Sequence, residues 1–320
     1  MPASRIDKRL AAIIAVAGVL AGLAPQWAAG QGLPQECKAL WASLQAAAKA
    51  QDLKAAAAGE REIAIDPICN APLSAAAKEV LLGLYREEDA RLERAGAAPA
   101  VRLANLGAAL RYANQWNAWD IHAKIGDLKR RLPAAGSQPD YAGISLAYDE
   151  AVRAIDQAPA SARPAAAVIQ RIVGLAYQYE ALSPAPVPRR GGITRTARQV
   201  NVERTPVPLQ FVYDSEQLTE AGRAQADNLL ELLKGEGMPQ LHLVGHTDPV
   251  GSDEYNDKLS VRRAVAIRNF LTERGYPAQR ITTEGRGKRD IEKLRIWDSD
   301  QFTTAQIHQM LRRVELVWKQ

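Results

Sequence analysis

"GHTDPVGSDEYNDKLSVRRA", residues Gly245 to Ala264, decides the fold of the C-terminal third of this chain. Just upstream, "PQLHLVGHT" reads as a strand. Downstream, "DEYNDKLSVRRAVAIRNFLTERG" has helical periodicity and a stop at Gly275. A strand that enters a helix through a glycine-bearing loop is the first half of a β-α-β unit. The stretch sets one acid, Asp248, at the strand end and one arginine, Arg263, on the helix. Asn256, Leu259, Arg263 and Ile267 fall on one helix face, so Arg263 lies beside an apolar stripe, where an arginine calls for a partner.

Working outward, "VPLQFVY" is strand-like, and "LTEAGRAQADNLLELLKGEG" is an amphipathic helix capped by Thr219 and ended by Gly235 or Gly237. "RITTEGRG" gives a third strand and "RRVELVWK" a fourth. The order β-α-β-α-β-(helix)-β predicts a two-layer α/β sandwich with its helices on one face. This domain spans residues 205–320.

Residues 31–182 differ in kind. Alanine and other helix formers dominate, with breaks at "PAAGSQP" and "APASARP". The pattern predicts an antiparallel array of six or seven helices. One of them, "LSAAAKEVLLGLYREEDARLERAG", takes Ser74 as its cap and Gly96 as its stop. The alternation of alanine with larger apolar residues weakly resembles tetratricopeptide hairpins, but without a clean period of ~34 residues. Residues 183–204 form a proline- and arginine-rich linker, because each proline lacks the N–H that a helix needs.

Residues 1–30 read as a signal peptide. Arg5, Lys8 and Arg9 precede the apolar run "LAAIIAVAGVLAGLA" and the small-residue exit "PQWAAG", with cleavage placed after Gly30. The run is short for a spanning helix, which needs ~20 residues. An uncleaved anchor is the alternative, so the protein meets a membrane peripherally or through that anchor. The two cysteines, Cys37 and Cys69, suit an oxidising compartment. They are read as one disulfide closing the first helical hairpin, with two buried thiols as the other reading. The net charge of +5 is carried by the leader and by Arg189, Arg190, Arg195 and Arg198. From Val207 onward the balance is near zero, which argues against a nucleic-acid-binding face.

"LQFVYDSEQLTEAG", "LVGHTDPVGSDEYNDKLSVRRA", "ERGYPAQRITTEGRGKRD" and "RRVELVW" together resemble the OmpA-like C-terminal domain family over about residues 207–318. Gly-His-Thr-Asp, Gly251, Asn256, Leu-Ser and Arg-Ala stand at the family's spacing. The resemblance implies non-covalent binding of peptidoglycan through the diaminopimelate of its stem peptide. Asp248 and Arg263 are then the gripping pair. An amino-acid end carries an ammonium and a carboxylate on one carbon, and one fixed anion with one fixed cation matches it. Arginine suits the carboxylate because its planar fork donates two parallel hydrogen bonds. Thr247, Asn256, Leu259 and Phe211 join the expected ligand-binding set, as loop-shaping or wall residues. Gly245 and Gly251 are assigned to backbone geometry. Leu311 stands where the family has an asparagine, and "DIEKLRIWDSDQFTTAQIHQM" departs from the family pattern. The bland alternative is a structural Asp–Arg salt bridge.

His242, His246 and Asp248 alternate along one strand and prompt a zinc-hydrolase reading. One strand rarely supplies three convergent ligands, and the chain has no HExxH, phosphate loop or nucleophile elbow. The sequence therefore predicts a binding protein with no cofactor. It would be a periplasmic anchor associated with the cell wall or outer membrane, with a protein partner on its helical domain. A helical adaptor carrying a degenerate OmpA-like domain is the runner-up.

Overall fold

The computed structural model describes residues 33–132, 139–184, 204–207, 209–289, 291 and 295–318. The expected signal peptide and nearly all of the expected linker lie outside the described residues. Two compact units divide the chain after Arg91. Compactness thus divides the chain earlier than composition does.

The first unit is built from α1 (Gln35–Lys49), α2 (Leu53–Ile65) and most of α3 (Asn70–Arg94). Asp52 caps α2 by accepting from the Ala55 N–H. α3 starts at Asn70, ahead of the expected cap at Ser74. The Asp66 carboxylate accepts from the N–H groups of Ile68 and Cys69 at 2.9 and 2.8 Å, and so caps the turn that leads into α3. Pro72 sits in the first turn, where its missing N–H costs nothing. Cys37 of α1 and Cys69 form a disulfide across a separation of 32 residues, tying α1 to the start of α3. Trp41, Leu44, Ile63, Leu73, Ala77 and Leu81 of the same unit are buried.

The second unit opens with α4 (Pro99–Ala109), α5 (Trp119–Lys129), α6 (Tyr141–Gln157) and α7 (Ala166–Leu182). Along the whole array the helices run from 11 to 25 residues and set no common repeat length, so the tetratricopeptide-like expectation gains no support. The sheet follows: β1 (Arg204–Val207), β2 (Leu241–Gly245), β3 (Ile281–Gly285) and β4 (Val314–Trp318), in spatial order β1-β4-β2-β3. β2 and β3 are parallel, and β4 runs antiparallel to both β1 and β2. α8 (Glu220–Gly235) precedes β2, and α9 (Asp253–Glu273) makes the crossover that the parallel pair requires. Leu229, Leu230 and Leu233 of α8 and Ala264, Ile267 and Leu271 of α9 share one core with Leu241, Leu243, Val314 and Leu316 of the sheet. This is the expected sandwich. The first strand differs, however. It runs over Arg204–Val207 rather than along "VPLQFVY", and Phe211 makes only an isolated bridge to Leu218.

The segment that departs from the family pattern has a structural job. It carries a short 3-10 turn at Ser299–Gln301 and then α10 (Thr304–Leu311), closed by a capping box between Thr303 and Gln306. Met310 enters the core of α6 and α7, and Ile296, Trp297 and Phe302 pack against that core. Gln178 donates to the Trp297 carbonyl at 3.0 Å and accepts from its N–H at 2.7 Å. Trp297 lies so close to α7 that any side chain at Gly174 would collide with its indole nitrogen. Arg130 joins Asp298 at 2.7 Å, and Arg171 bridges Asp127 and Asp298. The segment therefore clamps α5–α7 to the sheet domain.

Candidate functional site

The loop after β2 is held by its backbone. His246 N–H donates to the Arg313 carbonyl and Thr247 N–H to the Gly287 carbonyl, each at 2.9 Å. α9 crosses against the end of β2 so closely that a Cβ on Gly245 would lie 2.1 Å from the Ser260 carbonyl oxygen. Only glycine fits there. Gly251, at φ +92°, lets the loop turn into α9. Ser252 caps α9, and the Asn256 amide donates to the carbonyls of Val250 at 2.8 Å and Ser252 at 3.0 Å. Asn256 thus ties the loop to the start of α9.

Asp248 is buried at the head of this loop. One carboxylate oxygen accepts from the Val250 N–H at 3.0 Å, an Asx turn, and the other from Arg312 at 2.8 Å. The salt bridge to Asp248 therefore comes from Arg312, which the sequence reading had not assigned to it. Thr247 is buried beside it, and its hydroxyl has no hydrogen-bond partner among the described residues.

Arg263 is 1% exposed and is the bulkiest of the fully buried side chains. It shares its helix face with the buried Asn256, Leu259 and Ile267, as the spacing predicted. Its Nε donates to the Ser215 carbonyl at 3.0 Å, and its guanidinium carbon lies 5.1 Å from the centre of the Phe211 ring. Phe211 is thus a wall of the arginine's chamber, half-buried against the sheet core. One terminal nitrogen of Arg263 is buried with no acceptor among the described residues. Burial, and then the nearby Arg312, push its pKa down to about 10, with Asp248 and Asp214 pulling the other way. A buried cation with an unmade hydrogen bond is a receptor for an anion.

A second charged layer lies beneath. The Glu315 carboxylate accepts from Arg313 at 2.8 Å, and its other oxygen is 3.3 Å from the His246 ring. Burial would raise this carboxyl, but His246 and Arg313 outweigh it and hold the pKa at about 2. His246 thus turns to Glu315, His242 to Thr282 and Glu284, and Asp248 to Arg312. The three groups of the zinc-hydrolase reading have separate partners. Among the described residues no three His, Cys, Asp or Glu side chains are placed to hold a metal. Leu311, in the asparagine's place, is buried.

Residues 210–300 match the OmpA family. The C-terminal region carries an OmpA-like domain. Over 78 residues, 24% of this chain, it is 36% identical to "Outer membrane protein A" of Bordetella avium, covering 40% of that protein. Over 88 residues, 27% of this chain, it is 36% identical to "Outer membrane porin F" of Pseudomonas aeruginosa, covering 25% of that protein. The chain thus spans well under half the length of these relatives. Among solved structures it is similar to the peptidoglycan-associated lipoprotein of Burkholderia pseudomallei, at 27% identity and a TM-score of 0.29. That likeness covers 35% of this chain and 88% of the other. Among the described residues no helix is long and apolar enough to cross a membrane.

Proposed function

We propose that this protein is a non-catalytic anchor of the cell envelope whose OmpA-like domain holds peptidoglycan through the diaminopimelate of its stem peptide. Its place is the periplasm, at the wall or outer membrane, as suits the company of its relatives. The observation that carries the reading is Arg263: fully buried, ion-paired with no carboxylate among the described residues, and left with an unmade hydrogen bond near Asp248. Arg263 takes the ligand carboxylate and Asp248 the ammonium. Thr247 offers its spare hydroxyl, Phe211 and Leu259 form apolar wall, and Asn256 fixes the loop. Single sites of this kind hold weakly, and a polymer presenting many copies raises retention.

Pull-down on purified sacculi tests the reading. Wild type should sediment with the wall, whereas Asp248→Ala and Arg263→Ala should remain in the supernatant. Equal sedimentation of all three would reject it.

One observation favours the adaptor reading instead. Asp248 already has a cation in Arg312, as a purely structural loop clamp would. On that reading the helical array carries the function by docking a protein partner, and the sacculus test separates the two.

A further inference from the structure

A cavity of about 100 Å³ opens between α7, the 209–211 segment and the end of α10. It lies outside the Asp248–Arg263 cleft but shares two of its residues: Phe211, over Arg263, and Arg312, on Asp248. Cleft and cavity are neighbours across these side chains. One wall is α7, so the cavity exists only because α7 is clamped to the sheet domain.

Its lining is lopsided in charge. Arg295, Arg312 and Arg313 reach it, and no aspartate or glutamate among the described residues does. The neutral polar residues are already occupied with holding the walls. Gln178 is bonded to Trp297, Gln309 to the Ala181 carbonyl at 2.7 Å, and Gln210 to the Ser183 carbonyl at 2.6 Å. Arg312 and Arg313 are already ion-paired with Asp248 and Glu315, but Arg313 keeps a donor in reserve. Arg313 is only 8% exposed, and its Nε is buried with no acceptor among the described residues. Arg295 lies over the Trp297 ring at 3.5 Å, and no carboxylate among the described residues pairs with it. The space suits one small group, since it holds only ~3 waters at ~30 Å³ each. A drug-sized ligand needs several times more.

We propose that this cavity is a carboxylate subsite, taking a second carboxylate of the same wall peptide whose diaminopimelate end sits on Asp248 and Arg263. The proposal rests on the peptidoglycan reading above. Arginine forks in a half-enclosed space select a carboxylate over its amide, because only the anion repays the buried donors. The subsite would therefore distinguish wall peptides with free carboxylates from amidated ones.

Calorimetric titration tests it with three ligands. These are free diaminopimelate, a soluble muropeptide, and the same muropeptide amidated at every carboxylate except the diaminopimelate end. Two variants accompany wild type: Arg295→Gln, which removes an exposed charge, and Ala181→Leu, which fills the cavity without changing charge. Wild type should bind the free muropeptide about three- to tenfold more tightly than the amidated one. Both variants should erase that difference and leave free diaminopimelate unaffected. Equal affinity of wild type for both muropeptides, or a preference that survives both variants, overturns the subsite while leaving the cleft reading intact. Failure of wild type to bind any of the three overturns both. A preference reproduced by acetate alone, competing equally against either muropeptide, overturns the assignment to the peptide's own carboxylate.

Discussion

Arg312, rather than Arg263, lies 2.8 Å from the Asp248 carboxylate. The acid is thereby oriented before any ligand arrives, with its second oxygen fixed by the Val250 N–H. Arg263 is left to a different task. It is a cation held in an aromatic chamber with a donor in reserve. Two guanidinia and one carboxylate thus meet at the site, with the carboxylate aimed by Arg312 and Arg263 left under-solvated.

Asp248→Asn and Asp248→Ala should therefore differ in stability but not in binding. Asparagine keeps an oxygen for the Val250 N–H, while alanine removes the Asx turn. Both variants lose the charge that meets an ammonium on the proposed reading. Sacculus pull-down should fail for both. Thermal melts should place both variants below wild type, since each loses the Arg312 ion pair, and the alanine variant lower still by ~1–2 kcal/mol.

Arg263→Met should stabilise the unliganded protein while abolishing retention. The folded-state pKa of Arg263, about 10, lies below its ordinary value, so the fold disfavours the charged form. Stability would recover only as pH rises through about 10 toward the unfolded value, so at neutral pH the cost is fully present. An apolar side chain of similar length removes it, less the lost bond to Ser215. A rise in melting temperature of roughly 2–6 °C is expected. A fall of several degrees would mean that the guanidinium is structurally satisfied after all.

Glu315 makes the fold acid-sensitive. Its folded pKa of about 2 lies below the model-compound 4.5, so its contribution is complete above about 4.5 and is lost as pH falls toward 2. That span corresponds to on the order of 3 kcal/mol. Denaturant melts between pH 2 and 7 should show this slope in wild type. Glu315→Gln should be less stable at neutral pH and should flatten the slope.

Reduction of the Cys37–Cys69 bridge should act on the first unit alone. Opening a loop of this size removes ~2–4 kcal/mol. The transition of the first unit should fall on adding reductant, while that of the second unit stays in place. Sacculus binding by the second unit should not change.

Much of the OmpA-like domain is legible in the sequence because its signals are local. Thr219 and the glycine stops bound α8, and the face of Asn256, Leu259, Arg263 and Ile267 follows from helical spacing alone. The pairing of Arg312 with Asp248 is not local. It joins positions 64 residues apart, and the adjacent Arg312 and Arg313 look alike until β4 sends one outward to the loop and the other inward to Glu315. The first strand was misplaced because "LQFVY" has the stronger β-propensity. The sheet instead takes Arg204–Val207, with Pro206 tolerated on an edge strand. The clamp on α5–α7 left one sequence clue, the large apolar residues Ile296, Trp297 and Phe302 set among the charged and polar residues of "RIWDSDQFTT". Their target on α7 is a tertiary fact, set by the close approach of Trp297 to Gly174.

The most direct measurement is a crystal structure of the protein soaked with diaminopimelate. The account predicts the amino-acid end in the cleft, its ammonium within ~3 Å of Asp248 and its carboxylate forked on Arg263. A cleft left empty at saturating ligand, or a ligand bound elsewhere with Arg263 unengaged, would contradict it.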